Sequence, residues 1–84
     1  SLEQNYSNQF NPATTIEYFV PHSAHVSLIV YDLLGREVTT LVDDDCNAGN
    51  YKATFDGSGL ASGVYLYRLI SSGYMETKKL LLLN

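Results

Sequence analysis

Apolar and polar residues alternate with period two along most of the chain, and turn-forming residues break the alternation every 8 to 12 residues or so, about the rhythm of an all-β sandwich. Ile16, Tyr18 and Val20 share one face of a first strand over residues 14–20, which Pro21 ends. Val26, Leu28 and Val30 alternate with Ser27, Ile29 and Tyr31 in a second strand over 25–31. Asp32-Leu33-Leu34-Gly35-Arg36 reads as a turn in which Gly35 takes a positive φ. A third strand over 37–42 closes a hairpin with the second, and residues 43–47 read as an acidic loop.

Tyr51, Ala53 and Phe55 alternate with Lys52, Thr54 and Asp56 in a fourth strand over 50–56, so one face is wet. Residues 57–63 form a glycine-rich corner whose one bulky apolar residue, Leu60, plugs the end of the core. The fifth strand, 64–70, is apolar on both faces apart from Arg68, which places it centrally. Residues 71–73 turn the chain into a sixth strand over 74–83. The opening segment, 1–13, reads as irregular, with a strand near 6–10 as a seventh. No stretch keeps a helical period. The pattern predicts an Ig-like antiparallel β-sandwich of about seven strands, one domain over residues 1–84.

Composition narrows the function classes. Apolar residues make up 45% of the chain, enough for a packed core in a domain near the lower size limit. Seven tyrosines and no tryptophan suit half-buried strand faces, where rings pack and hydroxyls reach water. Nine acids stand against five bases, and no basic cluster exceeds Lys78-Lys79, which sets nucleic-acid binding aside. No apolar run approaches the roughly 20 residues of a bilayer helix, so no membrane insertion is expected. Ser1 opens the chain without a methionine or signal peptide, which reads as a domain cut from a longer protein.

Candidate chemistry is sparse, and each feature has a bland reading beside a sharp one. Cys46 stands alone, as an incidental thiol or one that pairs with another chain. The adjacent Asp43, Asp44 and Asp45 raise its pKa, which argues against a reactive thiolate. Those three acids lack the alternating spacing of a calcium loop and read as a solvated charge run. His22 and His25 flank a turn without further converging ligands, so solvated histidines are favoured over a metal site. No nucleophile elbow is present, and no cofactor is expected. Asn5-Tyr6-Ser7 fits a glycosylation sequon. Tyr65 and Tyr67 lie two apart, as a carbohydrate-stacking platform requires; the competing reading buries that face in the core.

The last thirty residues are the most distinctive. Leu60-Ala61-Ser62-Gly63-Val64-Tyr65-Leu66-Tyr67-Arg68-Leu69 is followed by Thr77-Lys78-Lys79-Leu80-Leu81-Leu82-Leu83. Chain ends usually fray, so a strand this apolar is a central closing strand, a segment another protein reads, or both.

Together with Asn5-Tyr6-Ser7-Asn8-Gln9-Phe10-Asn11-Pro12 and the V-x-L-x-V-Y-D-x-L-G-R-E-V pattern over 26–38, these motifs run in family order. The chain resembles the C-terminal sorting domain of the type IX (Por) secretion system, type A. Ser7 and Gln9 depart from it, standing where that family has proline. The middle motif is also similar to Ig-like domains related to flagellar hook-capping proteins.

The resemblance implies a non-enzymatic address label at the end of an exported protein, often a hydrolase, adhesin or protease. The implied partners are the upstream parent domain, an outer-membrane translocon and a sortase-like protease. The implied route runs through the periplasm to the cell surface or the extracellular space. Carried over by position, translocon recognition falls on Gly63, Tyr65, Lys78, Lys79, Leu80, Leu81, Leu82 and Leu83. A receptor that adds to an edge strand would find backbone, charge and apolar surface together there. The rival reading is an Ig-like accessory module, a spacer or sugar-binding domain beside a secreted enzyme.

Overall fold

The computed structural model describes residues 5–6 and 13–83. Its strands are β1 (Asn5–Tyr6), β2 (Ala13–Val20), β3 (Ala24–Tyr31), β4 (Glu37–Cys46), β5 (Gly49–Asp56), β6 (Gly63–Ser71) and β7 (Tyr74–Leu82). Among the described residues no helix is long and apolar enough to cross a membrane. Five strands join in the order β1-β7-β6-β3-β4, while β2 and β5 make a separate two-stranded sheet.

The two sheets face each other across one core because their alternating apolar positions all turn inward. Ile16, Tyr18, Val20 and Phe55 from the small sheet meet Val26, Leu28, Val30, Tyr67, Leu69, Leu80 and Leu82 from the large one. The expected inward faces of β2 and β3 are those observed. Tyr51 and Ala53 are only half-buried, and Leu60 packs against the end of the core from the corner after β5.

The β3–β4 turn is built on Asp32, whose carboxylate accepts the amides of Leu34 at 2.9 Å and Arg36 at 3.0 Å. Arg36 Nε adds a bond to the other carboxylate oxygen at 2.8 Å. These donors, led by the Arg36 amide, hold the Asp32 pKa below its ordinary value. Gly35 has the anticipated positive φ, +83°. At the β6–β7 hairpin Ser72 and Gly73 both have positive φ, +48° and +79°, the signature of a type I′ turn that matches strand twist. That turn sets Ser71 opposite Tyr74 and fixes the register of all that follows.

Three expectations need correction. Among the described residues six strands run eight to ten residues and β1 has two, while most of the strand expected near 6–10 lies outside them. β1 lies in the segment read as irregular and pairs parallel to β7, so the large sheet is not wholly antiparallel. The remaining opening residues, 1–4 and 7–12, lie outside the described ones, and with them Ser7 of the sequon and the two proline departures.

The third correction concerns residues 43–46, read as loop but observed as the end of β4, paired with Ala24, His25, Val26 and Ser27. Aspartate is a poor strand former, but β3 supplies a full ladder there and places His25 between two of the carboxylates. β4 also slips twice against β3, gaining an extra residue at Leu41 and at Val38.

Candidate functional site

The two motifs singled out in the sequence become neighbours. β6 and β7 pair so that Gly63 faces Leu82, Tyr65 faces Leu80, Leu66 faces Lys79 and Tyr67 faces Lys78. The strand pleat then divides the tail. Leu80 and Leu82 are fully buried in the core. Lys78 shares their side of the strand and is half-buried. Lys79, Leu81 and Leu83 fall on the opposite face, where Lys79 is exposed, Leu81 half-buried and Leu83 40% exposed. A partner approaching the folded sheet from outside meets these three, while Leu80, Leu82 and Tyr65 hold the strand in place beneath them. Gly63, at the start of β6, has φ +149°, and a Cβ there would meet nothing within 4 Å. Its backbone conformation, not crowding, favours glycine.

The outer face continues beyond the tail. Val64, Leu66, Arg68 and Ile70 of β6 lie beside Ile29 and Tyr31 of β3 and beside Met75, Thr77, Lys79 and Leu81 of β7. Arg68 sits over the Tyr31 ring, 5.1 Å from its centre, and its Nε donates to Thr77 Oγ1 at 3.2 Å. Met75 is 61% exposed and Ile70 38%. Two apolar faces on β6 predict a central strand. The strand is central, between β7 and β3, but β2 and β5 cover only one of those faces. The signal for the second surface was the odd-numbered series Met75, Thr77, Lys79, Leu81, Leu83. Among the described residues the outer edge of β7 is paired with β1 at Leu80 and Leu81. Over 74–79 no other strand adjoins it among the described residues.

The tyrosine platform does not exist in the fold. Tyr67 is fully buried and Tyr65 is 9% exposed, its hydroxyl donating to the Ala61 carbonyl at 2.6 Å. Tyr51 makes the same four-residue reach to the Asn47 carbonyl, at 2.7 Å. Each ring thus pins the chain that leads into its own strand. Tyr65→Phe should therefore cost about 0.5–1.5 kcal/mol in urea unfolding, with the β7 register unchanged by NMR. An unchanged midpoint would show that the bond contributes nothing.

The acidic run has an unanticipated partner. Asp43 and Asp45 lie on one face of β4 and straddle His25, whose Nε2 and Nδ1 stand 2.6 Å and 3.0 Å from their carboxylates. Both ring nitrogens must carry protons to donate both bonds, so the arrangement suits the imidazolium. The bonds to Asp45 and then Asp43 raise the His25 pKa above 6.5. Because the folded-state value is raised, the stabilisation is fully present below the unfolded value and disappears as pH rises through the folded one. His25→Gln should narrow the stability gap to the parent as pH rises and as salt is added. A gap independent of pH between about 5 and 9 would overturn this linkage.

Cys46 follows with its thiol pushed up, first by burial and then by Asp44 and Asp45. Among the described residues no group of three or more His, Cys, Asp or Glu could hold a metal ion.

Comparison with known proteins gives one result. No curated protein matches the chain, and no solved structure does. A family model described as secretion system C-terminal sorting domain matches residues 7–83. The match takes in every strand from β2 to β7 and both tail motifs. The chain belongs to this family of non-catalytic sorting domains, the C-terminal signals of type IX secretion.

Proposed function

We propose that this chain, as one Ig-like sandwich over residues 1–84, is the export label of a larger protein that crosses the outer membrane by the type IX route. The parent reaches the periplasm first and ends at the cell surface or outside the cell. The outer-membrane translocon reads β7, and a sortase-like protease then acts on the delivered protein. The family match over residues 7–83 carries this reading. The geometry of β7 supports it: Lys79, Leu81 and Leu83 face outward from a strand whose alternate leucines are locked in the core. Over 74–79 no other described strand adjoins β7, which would let a receptor add a strand in the same register.

The accessory-module reading loses its main support with Tyr65 and Tyr67 buried. The mature secreted parent, compared with its gene, separates the two: the sorting reading expects the label to be missing from the delivered protein. A label retained on a parent delivered by another route would count against it.

A further inference from the structure

The two sheets differ in width, and the difference exposes one side of the core. On the β7 side, β1 lies against both β7 and β2, spanning the layers. On the β4 side, β4 and β5 approach each other directly, and no described strand lies between them. The half-buried apolar residues packed against the core all lie on β4, β5 or the corner after β5, Val38, Leu41, Val42 and Tyr51 among them. Two grooves run along this side. One, of about 410 Å³, is lined by the stacked pair Tyr18 and Tyr51 and by residues 41–47. The other, of about 320 Å³, reaches from Val38 to Phe55 and Leu60, and Leu41 lines both. The two meet at Leu41, and the cleft between β4 and β5 comprises both.

Its two lips are unlike. The double bulge in β4 disrupts that edge, a common guard against further pairing. β5 has no such guard: it pairs with β2 without a slip from Gly49 to Asp56 and contains no proline. No described strand joins its other edge. The charge is one-sided as well. Asp44 lies at one end and Asp56 at the other, with no lysine or arginine in either lining, while Asp43 and Asp45 turn their carboxylates to His25.

We propose that this cleft binds an extended segment of another protein that pairs with β5, lays alternate apolar side chains on Leu41, Val42 and Val38, and meets Asp44 and Asp56 with lysine or arginine. A second copy of the chain is a poor occupant, because edge-to-edge pairing of β5 would set these carboxylates against their own kind at a net charge of −4 each. β4 lies at the far edge of the large sheet from the β7 side. The cleft is thus separate from the sorting strand and does not depend on the sorting reading.

The test titrates two capped ten-residue peptides, one alternating lysine and valine and one alternating glutamate and valine, into the isotopically labelled 84-residue chain. The lysine peptide should bind saturably, shift the amides of residues 49–56 and protect them from exchange, at least about tenfold more tightly than the glutamate peptide. Added salt should weaken it. Asp44→Asn should weaken binding several-fold, and Leu41→Lys, at a half-exposed position on the cleft floor, by about tenfold or more. Asp44→Asn decides the matter if Leu41→Lys fails to fold. Absence of saturable binding, equal binding of both peptides, shifts confined to β7 or the outer face, or self-association through β5 in its place would each overturn the proposal.

Discussion

Leu82→Ala should destabilise the chain by about 2–5 kcal/mol, and Leu80→Ala by a similar amount. Both side chains are fully buried, Leu80 opposite Tyr65 and Leu82 opposite Gly63. Truncation leaves a cavity that a strand held in register by β6 cannot readily collapse. A chain of this size has roughly 4–13 kcal/mol of stability in all, so either change removes a large share. Leu81→Ala and Leu83→Ala should cost far less, about 1 kcal/mol or under, because both residues sit on the outward face. Four identical side chains in a row should thus show alternating large and small losses in urea unfolding. Equal losses, or larger ones at Leu81 and Leu83, would mean that the register of β7 is different.

The second large effect is on delivery rather than folding. Lys78→Ala with Lys79→Ala should leave the unfolding free energy within about 1 kcal/mol of the parent, since neither lysine is buried. Surface delivery of a parent carrying the double change should still fall by about tenfold or more, equivalent to about 1.4 kcal/mol of lost recognition. The relevant comparison is cell-surface against periplasmic protein, with circular dichroism confirming the fold. Leu82→Ala is the contrasting control, because it removes presentation of the strand by destabilising what lies beneath it. Normal delivery of the double variant would detach the lysines from recognition.

Most of this architecture was legible because period-two alternation reports directly on which side of a strand meets a core. Ile16, Tyr18 and Val20, or Val26, Leu28 and Val30, leave no second arrangement that buries them together. Alternation is silent where partners on other strands decide. Asp43 to Asp45 look like loop by propensity, and only the cross-strand position of His25 shows why a strand tolerates them. The tyrosines at 65 and 67 carry no mark of which face they take, since β6 is apolar on both. The recognition set showed the same limit. Its members adjoin in the sheet as adjacent strands, but the pleat sends Tyr65, Leu80 and Leu82 to one side and Lys79, Leu81 and Leu83 to the other. The open side between β4 and β5 was invisible from the chain, because it follows from the unequal widths of two sheets.

The Ser72–Gly73 turn has a consequence for the far end of its own strand. With leucine at four consecutive positions from Leu80 to Leu83, a slip of one residue would bury just as much hydrocarbon, so the core itself cannot tell the two threadings apart. Residues 75–79 discriminate little better, since Glu76 and Lys78 face in while Met75 and Thr77 face out. What counts the positions is the two-residue turn, which starts the tally at Tyr74 opposite Ser71. The hairpin is therefore a ruler: one residue more in that bend, and a reader of the tail would find Leu80 and Leu82 where Lys79 and Leu81 had been.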